Sequence, residues 1–309
     1  MSQSPRLTAK HYLAYILLCA IWGSTWLAIR IVVRDVPPML AAGLRFVIAA
    51  AVLMVLAVVN RLSLKMPRGS RDWRAIGILS LTMMALPYGL LFWAEKFISS
   101  SITAILFSSS PLVVALLTPM LLGKSVPRAA IASMVVALAG IAVLFQVQLM
   151  VSRQTIFGGV AVLLAVLCSS FSAVYAKKES LGINPIVSTG LQLGIGSVFL
   201  LLGSAIAERG QPVEWSQRSL LALLFLALFG SAVAFAVYYW LLRYMHAYQL
   251  STLNLVVPFV AIAEGALILQ EMITPTMFIA ALVVLGAVGV ALRAEGGEPT
   301  QLHLSTEEG

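Results

Sequence analysis

Trp22, Trp26 and Arg30 recur every four residues, a spacing that puts them on one face of a helix with Ser24 and Thr25 beside them. The stretch around them is apolar, so these polar groups must face protein or water, because hydrocarbon would leave them unsatisfied. The face reads either as the wall of a polar cavity or as a helix contact in which Gly23 and Ser24 permit close approach. Arg45 and Glu264 also lie inside apolar stretches, where an unpaired charge costs several kcal/mol. Two arrangements suit them. Arg45 meets a solute carboxylate while Glu264 serves as a protonation switch, or the two form a structural ion pair. Ser108, Ser109 and Ser110 precede Pro111, as Asn254 precedes Pro258. A proline frees the carbonyl four residues earlier, which becomes a ligand, a hinge, or a kink closed by serine hydroxyls. Tyr88 and Trp93 match Tyr238, Tyr239 and Trp240 as aromatic sets, and Ser169, Ser170 and Ser172 correspond to the region of Trp22 to Thr25.

Together these residues suit the binding of a small amphipathic solute, with Trp22, Ser24, Thr25, Arg45, Tyr88, Trp93, Ser109, Ser110, Ser169, Ser172, Tyr239, Trp240 and Asn254 as the expected lining and Glu264 as the expected coupling group. Bond-breaking chemistry has little to work with. Asp occurs only at Asp35 and Asp72, near the edges of apolar stretches, and the three histidines are far apart. There is no glycine-rich phosphate loop of the Walker type. The sequence therefore predicts no enzyme, no metal and no cofactor. Cys19 and Cys168 sit in apolar runs as small packing residues.

The elements that must hold these groups follow from composition. Of 309 residues 61% are hydrophobic and 10% charged, against roughly 25% charged in a soluble domain, and the mean hydropathy is +0.99. A surface so poor in charge is one that lipid solvates. The net charge of +8 is spread over short loops and forms no groove, which excludes nucleic acid as a partner. About 20 apolar residues in a helix cross a bilayer core of about 30 Å, and ten such stretches are present, at 12–33, 37–59, 75–94, 99–122, 129–149, 156–176, 185–207, 219–242, 247–270 and 275–292. Residues 1–11 form a short N-terminal segment and 294–309 a Gly- and Glu-rich tail expected to be disordered. With both ends inside, 13 of the 20 basic residues fall on the cytoplasmic side and six on the other, which predicts a multi-pass protein of the cell (inner) membrane with cytoplasmic termini.

Offset by 147 residues, the chain aligns Trp93 with Trp240, Lys96 with Arg243, Pro111 with Pro258 and Pro38 with Pro185. Five stretches per copy is an odd number, so the second copy, 150–293, enters the membrane in the opposite sense from the first, 12–149. Inverted repeats of this kind let one central site face either side in turn. The ten stretches, the duplication, the Trp22-Gly23-Ser24 turn, Leu44-Arg45-Phe46, the late prolines Pro111 and Pro258, and Gln270-Glu271 before Pro275 resemble the EamA family of the drug/metabolite transporter superfamily over residues 12–292. In the first half the acidic bend is replaced by Gly123-Lys124. The resemblance implies an all-α integral membrane fold of two inverted five-helix repeats around a central cavity, with the fifth and tenth spans peripheral. It also implies export of amino acids or other small metabolites, while the inverted repeats point to alternating access and Glu264 makes protons a candidate coupling ion. A drug permease of the same fold, a channel and a membrane enzyme are the alternatives. Oligomeric state is not legible in the sequence.

Overall fold

A computed structural model of the chain describes residues 7–63, 66–67, 69–98, 103, 106–145, 153–179, 183–269 and 275–294. They form helices, and no strand occurs among them. Six are long and apolar enough to cross a membrane: α1 (Ala9–Asp35), α2 (Pro38–Val59), α3 (Ser70–Ala94), α6 (Arg153–Lys178), α7 (Pro185–Ala207) and α8 (Gln217–Leu241). Between and after them lie apolar helices whose well-described stretches are shorter: α4 (Ser110–Leu122), α5 (Arg128–Phe145), α9 (Ala247–Ser251), α10 (Leu253–Leu269) and α11 (Pro275–Arg293). Each of the ten predicted stretches overlaps a helix, and six helices are long and apolar enough over their described residues to cross a membrane. Long apolar side chains remain exposed along the helix flanks, among them Leu13, Val59, Leu116, Phe157 and Ile206. In water such a surface is a liability; against acyl chains it is the solvated state.

Three expectations need adjustment. The chain is helical from Ala9, inside what the sequence suggests is an N-terminal tail. The fourth stretch does not kink at Pro111, because Ser108 and Ser109 form a turn and Pro111 lies in the first turn of α4, where its missing N–H costs nothing. The ninth stretch is broken at Thr252 into α9 and α10. The tail after Ala294 and the bend at Gln270 and Glu271 fall outside the described residues.

Local chemistry sets the helix ends. The Asn184 side chain accepts from Ile186 N to open α7, and Ser216 accepts from Ser219 N to open α8. Both oxygens of Glu208 accept from Met39 N and Leu40 N, at 2.8 and 3.0 Å, so a carboxylate from after α7 sits on the positive end of α2. Gly123 closes α4 at φ +65°, a left-handed conformation that glycine adopts without strain.

Helices pack in exchanged pairs. α2 runs along α7 and α5 along α11, whereas α6 lies against α3 and α4, and α1 against α8 and α10. α3 and α8 each contain one π-helical segment, Ser80–Ala85 and Leu228–Val233, at corresponding places. The ends of these two helices are closed in the same way. Arg30 donates to the carbonyls of Glu95 and Ile98, and Lys177 donates to those of Leu242 and Met245. Each member of the second set stands 147 residues after its counterpart. A cation at a helix C-terminus both bonds orphan carbonyls and complements the dipole. Arg30 thus has a defined partner set, two backbone carbonyls at the end of α3. Arg30→Met and Lys177→Met, each removing charged hydrogen bonds, are expected to cost about 1.5–3 kcal/mol, read as lowered melting midpoints of the purified protein in detergent.

Candidate solute-binding hollow

Between α1, α3, α4, α6, α8 and the α9–α10 pair lies a hollow of about 800 Å³, open solvent at its mouth included. α1 contributes Trp22, Thr25 and Trp26; α6 contributes Ser169 and Ser170; α3 and α8 contribute Tyr88 and Tyr238. Ser110 opens α4, and Ser251 and Asn254 flank the break between α9 and α10. Met83, Leu91, Phe107, Val114, Phe235 and Val257 complete an apolar wall. No charged side chain is among the described lining residues. Hydroxyls, one amide, indoles and phenols on an apolar wall form a neutral surface with directional hydrogen bonding.

Several polar groups of the wall are already engaged. Asn254 Nδ2 donates to Ser110 Oγ at 2.8 Å, and Thr25 Oγ1 donates to Trp22 O at 2.7 Å. Trp22 Nε1 donates to Gly230 O at 3.3 Å, and the ring meets Phe235 and Tyr238 at 5.7 and 5.6 Å. Trp26 differs: it is 8% exposed, yet its indole N–H has no hydrogen-bond partner among the described residues. A buried indole donor normally finds one.

The sequence places thirteen residues on this wall, and the structure brings six of them together: Trp22, Thr25, Tyr88, Ser110, Ser169 and Asn254. The other seven lie elsewhere. Ser24 Oγ donates back to Ala20 O and Ser109 Oγ to Leu106 O. The Ser172 hydroxyl is paired with that of Thr82 at 2.6 Å. Trp93 packs on Phe97, Trp240 stacks on His11 at 5.1 Å, and Tyr239 turns into a second cavity. Arg45 is 1% exposed and sits behind the wall. Its Nε donates to Ser231 Oγ at 2.6 Å and its Nη2 to Gly230 O at 2.9 Å, with the Tyr88 ring 4.9 Å from the guanidinium carbon. These contacts compensate a buried cation. The side chain of Glu264 lies outside the described residues.

Met83, Leu91 and Val257 carried no signal in the sequence, being apolar residues among many. Trp26, Ser170 and Tyr238 could have been chosen, since Trp26 shares the face of Trp22 and the other two adjoin predicted wall residues. The released carbonyl of Asn254, four residues before Pro258, accepts from Ser108 Oγ at 2.8 Å. It is therefore closed by the turn before α4 and not by a neighbouring serine of its own helix. Gly23 contacts α10: a Cβ there would stand 2.4 Å from Val260 Cβ. The close-approach role expected of Gly23 is its role here. A Cβ on Gly230 would likewise meet Thr25 Cγ2 at 2.8 Å and Arg45 Nη2 at 3.1 Å.

His246, in the turn before α9, is half-buried and stacked on Tyr248 at 5.3 Å. Burial, then Lys177 and Lys124, push its imidazole down from 6.5 to about 4.

Many crossing apolar helices around a neutral hollow define a multi-pass α-helical membrane protein. A profile of the EamA-like transporter family matches residues 9–146 and again 156–293, and the chain belongs to that family. It is similar to an uncharacterized transporter, YoaV, of Bacillus subtilis, 29% identical over 89% of this chain and 94% of that one. It is also similar to the protein PagO of Salmonella typhimurium, 27% identical over 81% and 82%. A WAT1-related chloroplastic protein of Arabidopsis thaliana is 27% identical over 90% of this chain and 68% of that one. A crystal structure 20% identical in sequence superposes with a TM-score of 0.74 over 92% of this chain and 97% of that chain, a likeness of fold. Relatives named as transporters support a membrane transporter here and suggest a protein that is not an enzyme.

Gly23→Ala drives a methyl into a β-branched neighbour with little room to yield, and is expected to cost about 1–3 kcal/mol in melting experiments. The depressed His246 pKa has a signed consequence. The unfolded imidazole binds a proton below about 6.5, whereas the folded one stays neutral until about 4, so stability is lost as pH falls through that window. His246→Gln is expected to show a smaller fall in melting temperature between pH 7 and pH 5 than the unsubstituted protein.

Proposed function

We propose that the protein is a secondary transporter that moves a small neutral or zwitterionic organic solute, an amino acid or a related metabolite, through the hollow by alternating access. In this reading ten helical spans form two inverted five-helix repeats, 12–149 and 150–293, in the cell (inner) membrane with both termini cytoplasmic, and transport runs outward. The observation that carries it is the hollow itself, walled by both halves: Trp22, Thr25, Tyr88 and Ser110 from one, Ser169, Ser170, Tyr238 and Asn254 from the other. A site shared in this way changes access when the halves rock. The exchanged packing of α1 and α6 and the matched caps at Arg30 and Lys177 support the repeat. The Trp26 donor, without a partner among the described residues, supports a solute with an acceptor, such as a carboxylate. With no cation among the described lining residues, that carboxylate is held by hydroxyl, amide and indole donors, which favours a zwitterion over a dianion. Glu264 is retained as the residue to test for proton coupling.

The test is reconstitution of the full chain into liposomes with a panel of labelled amino acids, at equal and at unequal pH on the two sides. Uptake of at least one amino acid is expected, with Trp26→Phe raising KM about 5–10-fold through loss of one hydrogen bond while melting stays within a few degrees. Absence of transport for the whole panel under both conditions would remove amino acids as the solute class. If Glu264→Gln left the pH dependence unchanged, its coupling role would be lost.

A further inference from the structure

A second cavity of about 580 Å³, open solvent at its mouth included, lies where the C-terminal ends of α6 and α8 meet the start of α7. Its lining differs in kind from the hollow: Lys177, Glu179, Ser188, Gln192, Tyr239 and Arg243 stand among apolar residues of α3, α6 and α7. The two spaces are neighbours across one residue step, because Tyr238 lines the first and Tyr239 the second, with their rings 5.4 Å apart.

Charge distinguishes the second cavity. Glu179 supplies the carboxylate of its lining and is held by Arg71 at 3.0 Å. Lys177 is spent on the carbonyls of Leu242 and Met245. Arg243 is half-buried on the cavity wall, and its guanidinium has no hydrogen-bond or ion-pair partner among the described residues. The wall therefore carries excess positive charge and one free planar fork, which fits a carboxylate or a phosphate through paired hydrogen bonds. A hydrogen-bond chain runs beside it: Tyr239 OH donates to Gln192 Oε1 at 2.7 Å, and Gln192 Nε2 donates to Ser188 Oγ at 3.0 Å. The chain ends on a hydroxyl whose proton has no acceptor among the described residues, a second donor for an anion. Gln192 stands 147 residues after Arg45, so the position that holds a buried guanidinium in one half holds a shorter, uncharged amide in the other. Leu79, Ile183 and Leu242 add an apolar side.

We infer that this second cavity is a separate subsite for a small organic anion, in which Arg243 takes the carboxylate or phosphate group and Ser188 donates to it. The site sits on the side where Lys177, Lys178, Arg71 and Arg243 gather, the side that basic residues mark as cytoplasmic. A solute bearing a carboxylate meets it before the neutral hollow, and Tyr239 with Gln192 forms the partition between them.

Protection from thiol modification tests this directly. The full chain carrying Ala176→Cys, a lining position that makes no polar contact, with Cys19→Ala and Cys168→Ala, is labelled with methyl methanethiosulfonate in sodium acetate, sodium phosphate or sodium chloride of equal ionic strength. Acetate, phosphate or both are expected to slow labelling at least about fivefold relative to chloride, and comparing the two tells a carboxylate site from a phosphate site. Adding Arg243→Gln is expected to abolish the protection, and Arg243→Lys to retain part of it. Equal rates in all three salts, or protection that survives Arg243→Gln, would overturn the proposal. Calorimetric titration of the unsubstituted protein with the protecting salt guards against a misfolded variant, and no binding heat there overturns it too. Liposome transport without protection sinks the subsite alone, whereas protection without transport of any solute sinks only the transporter reading.

Discussion

Lipid offers a peptide group no hydrogen-bond partner, so a place where a helix ends or breaks within the apolar bundle must be closed by the protein itself, by local side chains or by groups from distant helices. The π-helical segment of α8 is the clearest case. Gly230 O receives both Trp22 Nε1 from α1 and Arg45 Nη2 from α2, and Arg45 Nε reaches the adjacent Ser231. The carbonyl that Pro258 releases in α10 is closed by Ser108, and the hydroxyl of Thr252 at the α9–α10 break pairs with Tyr15 of α1. Each of these bonds joins the first half of the chain to the second. Broken helices thus become the cross-links of the bundle, and the hollow lies among them.

The same constraint explains where charge is allowed. Two oxygens and aromatic faces replace part of the water of this deep guanidinium, whose Nη1 has no partner among the described residues, and those ties leave Arg45 behind the wall. The described lining of the hollow is consequently neutral and presents hydroxyls, an amide and indoles. Uncompensated positive charge collects at the ends of α6 and α8, around Arg243 and Lys177. A neutral inner chamber beside a positive outer one suits the proposed zwitterionic solute: the outer cation attracts its carboxylate end, and the inner wall would hold the solute without the strong ion pair that would trap it.

Membership in a transporter family gives these features a purpose, but the family profile speaks to the whole chain and not to particular side chains. The link between family and mechanism runs through the exchanged helix pairs. Because α6 packs on α3 and α4 while α1 packs on α8 and α10, each half carries one helix seated in the other, and a motion of one half displaces walls on both sides of the hollow. Gly23 against Val260 is the tightest point of that seating, where the absence of a side chain sets how near α1 and α10 lie.

By itself the sequence determined the solvent, the helical class, the duplicated pattern and the family, because each is carried by properties summed over many residues: apolar length, charge scarcity, and motifs repeated 147 residues apart. It also marked the face of α1 that holds Trp22 and Thr25, since helical periodicity needs no partner to be read. Which polar residues reach the hollow was decided by tertiary structure. Ser110 and Ser109 are neighbours in sequence, yet one lines the hollow and the other bonds its own turn; Tyr238 and Tyr239 line different cavities. Arg45 gave the strongest charge signal within an apolar stretch, and it is tied to the broken backbone of α8, a partner that appears only when distant helices meet. Rotation about a helix axis and the position of each break fix such outcomes, and both are set by packing between segments more than a hundred residues apart.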